Sequence, residues 1–241
     1  MVTIVLVHGA WHGAWCWRHV VPRLEQQGHR VLAPDLPGHG DDPESPHTQT
    51  LSRYVRRILS VVADVDGPVV LVGHSLAGLV ISAVAEALPT RVARLIFVSA
   101  LLPRDGDSLV RICSADPENP MNTATVRTPE QKSQTVDPAR LQQVFYPDCP
   151  AADVALARQR LGPEPLATMF NTVRVTPERF GTVARSYIYC VHDVALPLFL
   201  QEQMVADSPC ESVVRLDCGH SPFFAVPDQL ASAINTLVRD L

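Results

Sequence analysis

The chain has 241 residues, of which 46% are hydrophobic and 19% charged, which suits one large domain with a sizeable core and excludes a disordered chain. Its 20 basic and 25 acidic residues give a formal charge of −5, and no basic patch suggests nucleic acid as a partner. No apolar run approaches a membrane span, and Met1 to Val7 lacks the basic n-region of a signal peptide. The six cysteines show no C-x-x-C spacing, so neither a metal site nor a disulfide framework is expected, and a cytoplasmic chain with reduced thiols is.

Short apolar runs alternate with helical patterns. Ile4 to Val7 reads as a buried strand, Trp17 to Gln27 as a helix in which Pro22 must sit in the first turn or introduce a kink, and His29 to Ala33 as a second strand. Leu51 to Ala63 places Leu51, Tyr54, Val55, Ile58, Leu59 and Val62 on one helical face. The apolar strand Val69 to Val72 leads into the helix Leu76 to Leu88, and Val92 to Val98 is the next strand. From Leu102 to about Thr182 proline and polar residues increase and strand patterns vanish, so residues 102–182 read as a helical cap inserted into a core of 1–101 and 183–241. The rhythm returns with the strand Arg185 to Val191, the helix Leu198 to Met204, the strand Ser212 to Leu216 and a closing helix Asp228 to Leu241. This alternation predicts a single α/β domain with a mostly parallel sheet covered by helices on both faces.

The chemical signal is Gly73-His74-Ser75-Leu76-Ala77-Gly78, set between a strand and a helix. That is the context of a nucleophile elbow, where a tight turn lifts a serine hydroxyl clear of the sheet. Small neighbours are needed because strand and helix approach closely. Gly73 fits, and Ala77 departs from the usual second glycine by one methyl group. A serine nucleophile needs a base, and the base needs an orienting acid. Asp193 and His220 follow the last two strands in the expected order, at the carboxyl ends where parallel sheets carry their sites. Asp217 is the rival acid by proximity in sequence. The loop His8-Gly9-Ala10-Trp11 after the first strand is the expected source of half an oxyanion hole, with the Ala10 and Leu76 N–H groups as donors. Trp11, Leu101, Leu102, Met169, Phe170, Phe223 and Phe224 are the expected lining of a narrow apolar substrate pocket. Arg174 is the one cap cation that could change its character.

These stretches resemble the α/β-hydrolase superfamily, and more closely the group of methyl-salicylate-type esterases, hydroxynitrile lyases and their bacterial relatives. The resemblance rests on Val5 to Trp15, Gly28 to Val31, Gly73 to Leu76, Phe180-Gly181 ahead of Tyr187-Ile188, and Gly219-His220. It implies Ser75, Asp193 and His220 as a triad, with Ala10 and Leu76 as oxyanion donors. Lyases of this group carry Thr or Asn where this chain has Gly9, and one branch has Lys where it has Ser221. Both departures point away from cyanohydrin cleavage.

The expectation is a cofactor-free serine carboxylesterase acting on small or medium, mostly apolar esters through an acyl-enzyme. Its partner is a small-molecule ester, with a homodimer as the one macromolecular association allowed for. Thioester or lactone hydrolysis, or natural-product tailoring with the same triad, is the nearest alternative. A catalytically weak ligand sensor is the alternative from another class.

Overall fold

The computed structural model describes all 241 residues. In chain order the core opens with β1 (Thr3–Val7), a 3-10 turn (Ala14–His19), α1 (Val21–Gln26), β2 (Arg30–Leu32), α2 (Leu51–Ala63), β3 (Val69–His74), α3 (Ala77–Ala87) and β4 (Val92–Val98). The inserted segment holds α4 (Leu109–Cys113), β5 (Thr125–Arg127), β6 (Ser133–Val136), α5 (Leu141–Phe145), α6 (Ala151–Arg160), β7 (Glu164–Pro165) and α7 (Leu166–Phe170). The core resumes with β8 (Arg185–Cys190), α8 (Leu198–Asp207), β9 (Ser212–Leu216), α9 (Pro222–Ala225) and α10 (Pro227–Leu237).

Six strands form one sheet in the order β2-β1-β3-β4-β8-β9, and every pairing in it is parallel. β3 is buried at every residue, which is why it reads as a continuous apolar run without alternation. The flanking helices show the complementary patterns. α2 is amphipathic and buries Leu51, Tyr54, Ile58 and Val62, while α3 is apolar nearly all round because protein surrounds it. The predicted helix from Trp17 splits in two: a 3-10 turn ends at His19, and Pro22 then occupies the first turn of α1, where a missing N–H costs nothing.

The register aligns the loops that matter. Val7 pairs with Gly73, His74 with Val98, Val98 with Ile188, and Cys190 with Leu216. The segments after β1, β3, β4, β8 and β9 therefore leave one edge of the sheet side by side.

The cap corrects one expectation. It is not purely helical: β5, β6 and β7 form a three-stranded antiparallel sheet. These strands span only two to four residues, too short for the period-2 alternation by which a strand is recognised.

Candidate active site

Ser75 sits between β3 and α3 with φ of 54°, in the left-handed region that costs a non-glycine residue roughly 1–3 kcal/mol. Its neighbours show why the turn needs small residues. A Cβ on Gly73 would lie 2.9 Å from Ile81 Cδ1 and 3.0 Å from the Ala77 carbonyl oxygen. The closest approach falls one residue beyond Ala77: a Cβ on Gly78 would stand 2.1 Å from the Leu101 carbonyl oxygen. The tightest approach at this turn thus falls on Gly78, not on Ala77. The Ser75 carbonyl accepts from the Gly78 and Leu101 N–H groups, which ties the turn to the loop after β4.

Asp193 and His220 are both buried and meet at 2.6 Å, His220 Nδ1 to Asp193 Oδ2. The carboxylate is fully partnered. Oδ2 also accepts from Ser99 Oγ at 2.5 Å, and Oδ1 accepts from the N–H groups of Ala195 and Leu196 at 2.8 and 2.9 Å. Four donors fix its orientation and compensate for its loss of water. Asp217 goes elsewhere: it is exposed and pairs with His192 at 2.6 Å.

His74 was not singled out by sequence, yet it is buried beside the pair. Its Nε2–H donates to the His220 carbonyl at 2.8 Å, and the two rings lie 4.7 Å apart. Burial, together with the neighbouring His220 and His12 rings, holds its pKa well below the usual histidine value, so it stays neutral. Cap residue Asp148 supports the same loop by accepting from the Gly219 N–H at 2.7 Å.

The loop after β1 is held by its own histidines. His8 Nδ1–H donates to the Gly9 carbonyl at 2.9 Å, and its Nε2 accepts from the Leu36 N–H at 3.0 Å. His12 Nδ1–H donates to the Ala10 carbonyl at 2.8 Å, and its Nε2 accepts from Tyr146 Oη at 2.7 Å. Both rings must be neutral to donate and accept in this way. Burial lowers the His8 pKa to about 4 and the His12 pKa to about 3, in keeping with that pattern. In a trans peptide the N–H points opposite to the C=O, so fixing the Gly9 carbonyl aims the Ala10 N–H the other way. The Ala10 and Leu76 N–H groups donate to no backbone acceptor.

A cavity of about 450 Å³ opens over Ser75 and His220, with Ala10 also in its wall. Trp11, Leu101 and Met169 line it as expected, and Phe170 stands exposed at its lip. Three predicted lining residues do not. Leu102 turns away from the cavity, and its N–H approaches Met204 Sδ under the loop after β4. Phe223 packs edge-on against Trp17, His12 and His74, and Phe224 stacks on Trp15. Both belong to α9, whose apolar turn faces the core and not the cavity. Phe145 and Leu196 line the cavity in their place.

The exposed part of the lining is mixed: Val110 and Phe170 stand beside the polar Ser114, Asn122 and Arg127. Arg127 lies opposite Gln134 in the β5–β6 ladder, so the two share one face of the cap sheet. Arg174 is not part of the cavity: it is exposed and pairs with Asp105 at 3.1 Å. Asp116 also lines the cavity and accepts from Asn119 Nδ2 at 3.1 Å.

Comparison with known proteins places the chain in a family. The model of the alpha/beta hydrolase family matches residues 4–233, and the chain belongs to that family. It is 33% identical to methylesterase 3 of Arabidopsis thaliana, an alignment covering 96% of this chain and 94% of that one. It is 32% identical to a pyrethroid hydrolase of Sphingobium wenxiniae, covering 96% and 85%. Among solved structures, polyneuridine aldehyde esterase superimposes with a TM-score of 0.88 at 26% identity, covering 98% of this chain and 99% of that one. No helix is long and apolar enough to cross a membrane.

Proposed function

We propose that this protein is a carboxylic ester hydrolase that works through Ser75, His220 and Asp193. The observation that carries the reading is a buried 2.6 Å Asp193–His220 pair whose histidine lines the same cavity as a serine held at an elbow. Its relatives are named methylesterases and a pyrethroid hydrolase, which supports an ester as the substrate class.

In this reading Ser75 Oγ attacks the ester carbonyl carbon while His220 takes the hydroxyl proton. The negative charge that develops on the carbonyl oxygen is met by the Ala10 and Leu76 N–H groups. Asp193 holds the proton on His220 Nδ1, leaving Nε2 free to act as the base, and stabilises the imidazolium. Collapse of the tetrahedral species breaks the C–O bond, and His220 gives its proton to the departing alcohol. Water then attacks the acyl-enzyme with His220 again as base, releasing the acid and restoring Ser75. The reaction draws on side chains, backbone and water alone.

The buried lining suits the apolar part of a small or medium ester, and the cavity volume lies within the ordinary range for such ligands. Cyanohydrin cleavage is a poorer fit. A Cβ at Gly9 would lie 2.9 Å from both Ser75 Cβ and His74 Nδ1, so a lyase-like Thr or Asn there would crowd the elbow. We place residues 102–182 as a cap on the core of 1–101 and 183–241, and the enzyme in the cytoplasm, in keeping with six free thiols. The test is hydrolysis of a panel of aryl and alkyl esters. Wild type should turn over neutral esters of moderate size and Ser75→Ala none; cyanide release from mandelonitrile faster than aryl-ester hydrolysis would contradict the assignment.

A further inference from the structure

We infer that Glu164, a buried carboxylate of the cap, is a positioning residue that holds the loop carrying the Ala10 N–H in its working conformation. The inference rests on the serine-esterase reading above and adds to it a residue that never touches substrate.

The observations begin with Trp11, which follows Ala10 and has φ of 64°. A bulky residue persists in the left-handed region only where its surroundings fix it. Trp11 is fixed by the cap on three sides. Its N–H donates to Glu164 Oε2 at 3.1 Å, its carbonyl accepts from the Gly162 N–H at 2.9 Å, and its indole Nε1–H donates to the Gln134 carbonyl at 3.0 Å. Gln134 and Glu164 are register partners in the β6–β7 pair, so the cap sheet grips Trp11 as one unit.

The Ala10–Trp11 peptide is therefore pinned at both ends, by His12 on its carbonyl and by Glu164 on its N–H. The preceding Gly9–Ala10 peptide is pinned at one end only, by His8 on the Gly9 carbonyl. Its free end is the Ala10 N–H. If the Trp11 N–H were released, the left-handed turn at Trp11 would relax and carry the Ala10 N–H with it.

Glu164 is built for this task. It is fully buried, and its other partners reach it from separate elements: Tyr54 Oη of α2 at 3.1 Å, Thr168 Oγ1 of α7 at 2.6 Å and His39 Nε2 at 3.1 Å. Burial alone would push its pKa up, but His39, Thr168 and the Trp11 N–H outweigh burial and hold it below the usual carboxylate value. The carboxylate is thus ionised, the strongest acceptor a side chain offers to a backbone N–H. It does not line the cavity, whereas its partner Trp11 does; Thr168 adjoins the lining residue Met169, so a shift of α7 would register in KM and a shift of the Ala10 N–H in kcat and boronate affinity.

The experiment compares Glu164→Leu and Glu164→Gln with wild type by kcat and KM on an aryl ester. Active sites are counted by fluorophosphonate titration, and affinity is measured for a boronic acid that mimics the oxyanion. Leu removes every acceptor. Gln keeps one oxygen for the Trp11 N–H, because the Tyr54 and Thr168 hydroxyls can turn to accept from its amide. We expect Glu164→Leu to lower kcat per titrated site ten- to hundredfold, the size of effect about 1 Å of misplacement produces. KM should stay near wild type, boronate affinity should fall in parallel with kcat, and Glu164→Gln should restore both. A wild-type kcat per site in Glu164→Leu, or equal damage in Glu164→Gln, would overturn the inference. Should Glu164→Leu fail to fold, Glu164→Asp keeps the charge but draws the carboxylate one methylene back from the Trp11 N–H. It should lower kcat per titrated site about tenfold at constant KM, and an unchanged kcat there would equally overturn the inference. Ser75→Ala runs alongside: activity surviving in it would sink the serine reading itself, whereas full activity in Glu164→Leu beside an inert Ser75→Ala would sink only the role of Glu164.

Discussion

The loops of the sheet and the cap close on the same cavity by different means. Ser75, Ser99, Asp193 and His220 follow the ends of parallel strands whose register aligns them, so their positions derive from a continuous hydrogen-bonded ladder. The cap has only a three-stranded sheet and short helices, and it reaches the site through separate contacts made by side chains and backbone. Asp148 holds the Gly219 N–H, Glu164 holds the Trp11 N–H, and Asn119 donates to the Ala195 carbonyl. The candidate reactive groups are thus placed by the sheet, and the cap holds the loops around them through contacts at Gly219, Trp11 and Ala195.

The steepest effect should come from the sheet side. Ser75→Ala should remain folded and lose kcat by about a millionfold, as removal of the nucleophile does in a comparable triad. Asp193→Asn should cost about ten thousandfold, because Asn favours the wrong tautomer of His220. Asp217→Asn, an exposed side chain paired with His192, should leave kcat near wild type. The reverse order of these two would break the comparison at its root.

Ser99→Ala tests a residue that supports the acid directly. Removing the 2.5 Å donor leaves Asp193 with three partners. The expected loss is about tenfold in kcat, the lower part of what a hydrogen bond to a charged group is worth. An unchanged rate would show that Asp193 needs no such support.

Acid stability should report on the histidines of the loop after β1. In the unfolded chain His8 and His12 take up protons below about pH 6.5. In the folded protein they do so only near 4 and 3. The unfolded state then binds more protons across that window, so folding free energy is retained above pH 6.5 and lost as pH falls toward 4. Each such histidine adds a slope of about 1.4 kcal/mol per pH unit. The Tm of wild type should fall on acidification, and His12→Gln should flatten the curve; identical slopes would contradict the neutral ring.

The smallest effect belongs to the cap rim. Arg127 makes no ion pair within the protein and lines the cavity, so a negative group at the far end of a substrate would find one cation there. Neutral esters should still lead, and Arg127→Gln should lower kcat/KM for a dicarboxylic mono-ester several-fold while sparing a neutral one, within the range of an exposed charge pair. Equal effects on both esters would remove Arg127 from any role in selection.

Much of the sheet side was legible in the chain itself. The predicted bounds of α2, β4 and β9 match the structure, and Ser75 and His220 line one cavity, with Asp193 buried against His220. What escaped has a common cause. Ser99 meets Asp193 across 94 positions, His74 meets His220 across 146, and Glu164 meets Trp11 across 153, and no local pattern encodes such contacts. Nearness in sequence to His220 points Phe223 and Phe224 toward the pocket, but a proline-led turn folds them into the core. Arg127 was hidden because strands of three or four residues carry no periodicity to reveal which face they show.

The central claim is that Ser75 is the nucleophile, and covalent labelling addresses it most directly. After brief treatment with a fluorophosphonate, intact-protein mass spectrometry with peptide mapping should find one adduct, on the peptide that carries Ser75. The adduct should be absent in Ser75→Ala and should form far more slowly in His220→Ala. An adduct on another residue in place of Ser75, or ester hydrolysis that continues in protein fully labelled at Ser75, would contradict the account.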